Sequence, residues 1–346
     1  MTYDVALVGA TGAVGQRFVQ LLDEHPDFEV GALTASPASA GSRYEAATEW
    51  RLTTPMPAWI KDREVRPTTV EAIPDDIDLV FSSLPSDVAA DIEPALAEAG
   101  YLVSSNSSNA RMADDVPLVI PELNAEHLSL LATQRAERGW RGGLVKNPNC
   151  STIAMAPTLA PLRQFGLERV RVATLQAVSG AGYSGVASME IIDNVVPHIG
   201  GEEAKMERET CKLLGSVADG TVEPHPVTVS ASCNRVPTVD GHLENVWATL
   251  AGSPDVDAIA GAMAAAPTID LPSAPETLIE VFDQPDRPQP RLDRERQDGM
   301  AVGVGGIATT DVGVQYDCLV HNTLRGAAGA SLLNGELLAR EGYLDD

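Results

Sequence analysis

Short apolar runs and amphipathic stretches alternate through the first half of the chain. Runs at 5–8, 29–34, 78–84, 101–104 and 118–120 have the length and the Val, Leu and Ile content of buried strands, and Leu144 and Val145 end another. Between them, 17–24 places Phe18, Val19, Leu21 and Leu22 at helical spacing, and 87–99, 124–138 and 152–162 predict further helices. Strands alternating with helices predict an α/β fold with a doubly wound parallel sheet of the Rossmann type.

The texture changes after about residue 150. Segments 169–179, 227–231, 243–250 and 300–320 read as strands with few helices between them. They predict a second, α+β unit with a mostly antiparallel sheet. The stretch 283–298 (DQPDRPQPRLDRERQD) is polar and Pro-rich, and is expected to be an exposed loop. A helix rich in small residues closes the chain at 322–340. Two domains are expected, residues 1–149 and residues 150–321.

Charge changes the picture next. The 346 residues carry 24 Lys plus Arg against 49 Asp plus Glu, a formal net charge of −25. A surface so negative repels phosphate backbones and anionic lipid, which excludes nucleic-acid and peripheral membrane partners. It also destabilises a compact state unless salt screens it. At about 1 M salt the Debye length is only about 3 Å, so a salt-rich, halophile-like cytoplasm is expected. Only four cations are lysine: Lys61, Lys146, Lys205 and Lys212. No apolar run reaches the ~18 residues of a membrane span. The opening residues lack a basic leader, so a cytoplasmic protein is expected. Cys150, Cys211, Cys233 and Cys318 show no C-x-x-C spacing, so neither a metal site nor a disulfide framework is expected.

Two segments carry chemistry. Gly9, Gly12 and Gly15, with Thr11, Ala13 and Val14 between them, lie directly between the first strand and its helix. Glycines there let the backbone turn tightly onto a pyrophosphate, and the helix N-terminus offers N–H donors. The second strand ends in LTASPASAGSR (33–43), with no carboxylate between Glu29 and Glu45. A site for NAD places Asp or Glu here for the ribose 2′-OH. Ser36, Ser39 and Arg43 suit a 2′-phosphate instead, so NADP is the expected cofactor.

The second segment is GLVKNPNCSTIA (143–154). Asn149 is a good N-cap after a turn. Cys150 would then enter a helix, where the dipole favours thiolate and free N–H groups could hold an oxyanion. A nucleophilic thiol needs a proton partner, and His242, just after a glycine turn in NRVPTVDGH, is the candidate among six histidines.

Taken together, the Gly9–Gly15 loop, NPNCST, QAVSGAG (176–182), GEEAK (201–205), NRVPTVDGH (234–242) and HNTLRGAAGA (321–330) resemble aspartate-semialdehyde dehydrogenases, most nearly the archaeal and fungal branch. N-acetylglutamyl-phosphate reductases share the architecture but carry Asn-Pro-Gly-Cys-Tyr around the cysteine. Malonyl-CoA reductase is a nearer alternative, and a non-catalytic NADP-sensing protein a more distant one. The resemblance implies NADPH-dependent reductive dephosphorylation of L-4-aspartyl phosphate to L-aspartate 4-semialdehyde through a thioester on Cys150. His242 would be the acid/base, and Gln176 would orient the acyl group. Arg235 would grip the α-carboxylate, and Arg111 and Lys212 the phosphate. Glu209 would bind the ammonium, with Asn149 beside the cysteine. Glu202/Lys205 has the same E-x-x-K spacing as Glu209/Lys212, so that assignment stays open. Ser179, Gly180, Gly182 and Asn322 would line the nicotinamide site, and 322–346 would return to complete the cofactor domain. Inorganic phosphate is the second product, and a homodimer or homotetramer is implied.

Overall fold

The computed structural model describes residues 2–182 and 184–345. The terminal residues of the expected cofactor-binding unit, Met1 and Asp346, lie outside the described residues.

The first six strands form one parallel sheet. They are β1 (Tyr3–Val8), β2 (Phe28–Ala35), β3 (Arg66–Pro67), β4 (Leu79–Ser82), β5 (Leu102–Ser105) and β6 (Gly143–Lys146), in the order β3-β2-β1-β4-β5-β6. Their near-continuous burial is what a sheet covered on both faces requires. Strand order reverses at β1 and β4, and a ligand crevice opens at the carboxyl ends of such a pair. Helices α1 (Ala13–Leu21), α2 (Ser86–Ala99) and α3 (Leu130–Arg138) connect these strands.

The second sheet holds β7 (Leu167–Gln176), β10 (Thr228–Arg235), β11 (His242–Leu250), β12 (Ile279–Val281), β13 (Val302–Thr310) and β14 (Gly313–Val320), ordered β10-β7-β11-β14-β13-β12. A small hairpin, β8 (Ser216–Ala218) and β9 (Thr221–Glu223), stands apart. Three of the five pairings are antiparallel, and the outer pairs β10–β7 and β12–β13 are parallel. Alternate residues such as Val170, Val172, Val246 and Ala248 pack beneath α4 (Thr152–Leu159), α5 (Glu202–Leu213) and α6 (Val256–Ala264). The other face has no covering layer among the described residues. There Arg171, Trp247 and Gln315 stand in register across three strands, all exposed.

The last helix, α7 (Gly329–Arg340), follows β14 yet packs against β4 and β5 of the first sheet. Gly335 lets it approach: a Cβ there would lie 2.6 Å from Phe81.

Several expectations are corrected. The first helix begins at Ala13 rather than 17, because Gly12 already serves as its N-cap. Residues 118–120 give only a single bridge, Leu118 to Lys146. The 124–138 helix is broken by a 3₁₀ stretch, Ala125–Ser129. The 152–162 helix tightens into 3₁₀ at Ala160–Phe165, where Pro161 removes a donor. A π-helical turn, Leu324–Ala328, precedes α7. Segment 283–298 is mostly exposed, as expected, but it is ordered by its own contacts. The Asp293 carboxylate is buried and accepts from Arg287 and from the Gln289 backbone N–H, folding the strap upon itself. Pro290 and Arg294 then press on Gly241, next to His242.

Candidate active site

Cys150 sits where the end of β6 turns into α4. Asn149 Oδ1 accepts from the backbone N–H of Ser151 and Thr152, and the Asn149 carbonyl accepts from Ile153. That capping holds the turn carrying the sulfur. The π-helical turn closes on it from the other side, where a Cβ at Gly326 would lie 2.9 Å from that of Cys150.

His242 is the first residue of β11 and fully buried. Its Nε2 is 3.3 Å from Cys150 Sγ. Its Nδ1 accepts from the Ala177 backbone N–H at 3.1 Å. Gln176 and Arg235 end the adjacent parallel strands β7 and β10 in direct register. Arg235 is buried, and its Nη1 donates to the Ala177 carbonyl at 2.7 Å. The Gly180 backbone closes over both: a Cβ there would lie 2.7 Å from Arg235 Nη1 and 3.1 Å from the His242 ring. Gln176 is buried, with Nε2 donating to Thr174.

The electrostatics reverse the sequence-based expectation for the thiol. Burial, reinforced by the Glu202 carboxylate, pushes Cys150 up to about 12 against the pull of Arg111 and Arg235. Burial, with Arg235 and His321 nearby, holds His242 down to about 3. A helix N-terminus alone does not make a thiolate here: burial disfavours the charged form of both the thiol and the imidazole.

The charged residues divide by what they touch. Glu209 accepts from Arg111 Nη1 at 2.9 Å and from the Asn149 backbone N–H at 2.6 Å. Glu202 accepts from Asn149 Nδ2 at 2.7 Å and pairs with half-exposed Lys205 at 3.1 Å. Lys212 is buried, and its ammonium donates to the carbonyls of Arg111, Ala113 and Val116. Those bonds use all three N–H groups, so Lys212 holds the Arg111 loop and has no donor left for a ligand. Burial also pulls it down to about 8.

The glycine loop has the shape a dinucleotide needs. Gly9 adopts φ +83°, and a Cβ at Gly15 would fall 2.3 Å from the Gly9 carbonyl oxygen. Glycine is required at both positions. Thr11, Gly12, Ala13 and Val14 form the entry to α1 and remain partly or fully exposed. Ser36 and Ser39 share a turn at the end of β2. Arg43 instead pairs with Asp62 at the surface at 2.7 Å. Between the two sheets lies a cavity of about 1230 Å³, lined by Ala13, Arg17, Ser179, Gly182, Asp240 and Thr323 among others. Asn322 bridges its walls: Oδ1 accepts from Gly241 N–H and Nδ2 donates to Ser179 Oγ, each at 2.8 Å.

The sequence matches the family described as "Semialdehyde dehydrogenase, NAD binding domain" over residues 4–131, and "Semialdehyde dehydrogenase, dimerisation domain" over 159–325. It is 49% identical over 342 residues to an aspartate-semialdehyde dehydrogenase of Archaeoglobus fulgidus, covering 99% of each chain. The chain belongs to the aspartate-semialdehyde dehydrogenase family. Another member, from Schizosaccharomyces pombe, is 43% identical, with 98% of this chain and 99% of that one covered. Among solved structures, aspartate semialdehyde dehydrogenase with NADP from Candida albicans superposes with a TM-score of 0.89 at 41% identity, covering 98% and 99% of the two chains. Aspartate semialdehyde dehydrogenase II of Vibrio cholerae, complexed with ASA, does so with a TM-score of 0.79 at 27% identity, covering 99% of each.

Two buried charged residues near the site escaped the sequence reading. Lys146, fully buried, pairs with equally buried Glu93 and donates to Ser105 and Ser107 at 3.0 and 2.7 Å. Glu244, fully buried two residues after His242, is pushed well above the usual carboxylate range by burial. Lys146 was only counted among the four lysines, and nothing local marked Glu244.

Proposed function

We propose that the protein catalyses the NADPH-dependent reductive dephosphorylation of L-4-aspartyl phosphate to L-aspartate 4-semialdehyde, with Cys150 carrying the acyl group as a thioester. The observation that carries this reading is the meeting of Cys150 and His242 at 3.3 Å beneath the Gly180 backbone and beside buried Arg235. The chain is an NADP-dependent oxidoreductase of its family, and the Candida albicans relative was solved with NADP.

Arg235 takes the α-carboxylate, since a guanidinium can hold it through two parallel bonds. Glu202, whose charge acts on Cys150, takes the α-ammonium in place of its half-exposed partner Lys205, while Glu209 stays with buried Arg111. Arg111 and Lys205 receive the phosphate, and Gln176 orients the acyl group. The Gly9–Gly15 loop holds the pyrophosphate and the turn at Ser36 and Ser39 the 2′-phosphate. Ser179, Gly180, Gly182 and Asn322 flank the nicotinamide. Residues 1–149 with 322–346 form the cofactor unit, and 150–321 the catalytic and dimerisation unit. The open face of the second sheet is the surface through which copies associate, as dimer or tetramer. A salt-rich cytoplasm is the setting that suits the charge.

The test follows NADPH formed from aspartate semialdehyde and NADP in molar KCl. Phosphate-dependent reduction, abolished in Cys150→Ser with NADP affinity retained, supports the reading. Turnover by Cys150→Ser, or turnover indifferent to phosphate together with oxidation of NADPH by malonyl-CoA, refutes it.

A further inference from the structure

Glu244 follows His242 by two residues on β11, and its side chain is fully buried on the same inward face. The next residues on that face, Val246 and Ala248, belong to the apolar core. A carboxylate in such a place needs a cation or several N–H donors. Glu244 has neither among the described residues. Its cross-strand neighbours are Thr174 on β7 and Cys318 on β14. Thr174 Oγ1 accepts from Gln176 Nε2 and from the Asn234 backbone N–H. Cys318 Sγ, a weak donor, stands 4.0 Å from Glu244 Oε2. From α5 the charge that acts on Glu244 is Glu202, which repels. The other titratable groups that feel it are Cys150, Cys233 and Tyr316, none of them a cation. From the start of α4 comes the hydroxyl of Ser151, the residue after Cys150. Ser151 Oγ and Glu244 Oε1 are both buried, and both lack another partner among the described residues.

We propose that Glu244 serves as a carboxylic acid and not as a carboxylate: its O–H donates to Ser151 Oγ, tying β11 to the N-terminus of α4 and holding Cys150 against His242 without a second negative charge near the sulfur. Glu244 is a positioning residue, and its role rests on the reading of the reaction given above.

Strand and helix then meet at two adjacent points. His242 Nε2 lies 3.3 Å from Cys150 Sγ, and Ser151, the next residue along, is held from Glu244. Residues two apart on a strand share a face, so one strand sets both contacts. Asn149 caps the same turn from its own chain, and Glu244 adds a tie from the second sheet. Charge explains why an acid suits the place better than a carboxylate. One hydroxyl does not offset a buried negative charge. An ionised Glu244 would also join Glu202 in opposing a thiolate on Cys150. Burial holds the Glu244 carboxyl well above the usual carboxylate range, in line with the neutral form.

Infrared difference spectra of the full-length wild type against Glu244→Gln test the protonation without turnover. The expected result is the carbonyl stretch of a protonated carboxylic acid at neutral pH, shifted in deuterium oxide and missing from the variant. A carboxylate band lost in its place overturns the proposal. Alkylation of Cys150 by iodoacetamide, followed by mass spectrometry across a pH series, gives a second readout. Replacing a neutral acid by an amide leaves the rate–pH curve in place. A curve displaced by about one pH unit or more, a tenfold change in thiolate at a given pH, contradicts the neutral form. Turnover separates the tie from mere packing. Glu244→Leu removes the donor at similar volume and should lower kcat by about 10- to 100-fold with little change in KM. Glu244→Gln, whose amide still donates to Ser151, should recover at least about tenfold of that loss. A Gln variant as slow as the Leu variant contradicts the tie, and a Leu variant that does not fold leaves the two Glu244→Gln readouts to decide. A phosphate-independent reaction would leave the neutral acid standing, and an ionised Glu244 would leave phosphate-dependent turnover standing, so the two readings fail separately.

Discussion

Arg235 and Gln176 end neighbouring parallel strands side by side, so the two residues proposed to face the substrate are set by strand register rather than by loops. Arg235→Lys replaces a planar fork with a single ammonium. The loss of about 1.5–3 kcal/mol predicts a rise of roughly 10- to 100-fold in KM for aspartate semialdehyde, with kcat less affected. Steady-state kinetics check this. His242 has a consequence for acid stability. Its folded value is about 3 against an ordinary 6.5, so between these limits the unfolded state binds the extra proton. Stability is therefore lost as pH falls from about 6.5 towards 3, by up to about 1.4 kcal/mol per pH unit for that proton. Chemical unfolding at a series of pH values should show a shallower acid slope in His242→Gln between pH 4.5 and 6.5. At this scale the turn that carries Cys150 was legible, because Asn-Pro-Asn-Cys is local turn chemistry. The state of its thiol was not, because burial and Glu202, 52 positions away, outweigh the helix end.

Hydrophobic periodicity located most helices and strands of both sheets. It could not foresee charged side chains inside the first sheet. Lys146 at the end of β6 and Glu93 on α2 join Ser82, Ser105 and Ser107 in one buried network. Ser105 and Ser107 lead to Arg111, and Lys146 leads to Cys150, so the network ties the two loops that meet at the site. Burial holds Lys146 down to about 8 against the pull of Glu93. Lys146→Met alone leaves Glu93 buried and unpaired, and should cost about 3–5 kcal/mol. The double variant Lys146→Met/Glu93→Leu should recover most of that stability while KM for phosphate stays raised. Recovery of both would make the pair purely structural. Segment 283–298 is mostly exposed, as expected, but its internal order was not foreseen. Pro, Asp and Arg mark exposed loops on average, yet here Asp293 is enclosed by Arg287 and Gln289 and the strap packs on Gly241.

At the scale of the molecule, the net charge of −25 and the open sheet face act together. Like-charged copies must approach to associate, and salt weakens that repulsion as well as the repulsion within each chain. Unfolding midpoint and molecular mass should therefore both rise between dilute buffer and molar KCl, measured by calorimetry and light scattering. A carboxylate placed on the exposed row, as in Trp247→Glu, should lower the mass at any salt concentration without abolishing folding. The chain ordering of the two sheets was readable from the sequence. The return of α7 to the first sheet was not readable from its composition, and came only from the likeness to a known family.

The central claim, a thioester on Cys150 that phosphate must release, is tested most directly by rapid mixing of enzyme, NADP and aspartate semialdehyde without phosphate. A burst of one NADPH per subunit, followed by steady turnover only when phosphate is added, with Cys150 acylated in acid-quenched enzyme by mass spectrometry, is the predicted result. Steady turnover without phosphate, or a burst that leaves Cys150 unmodified, would contradict it.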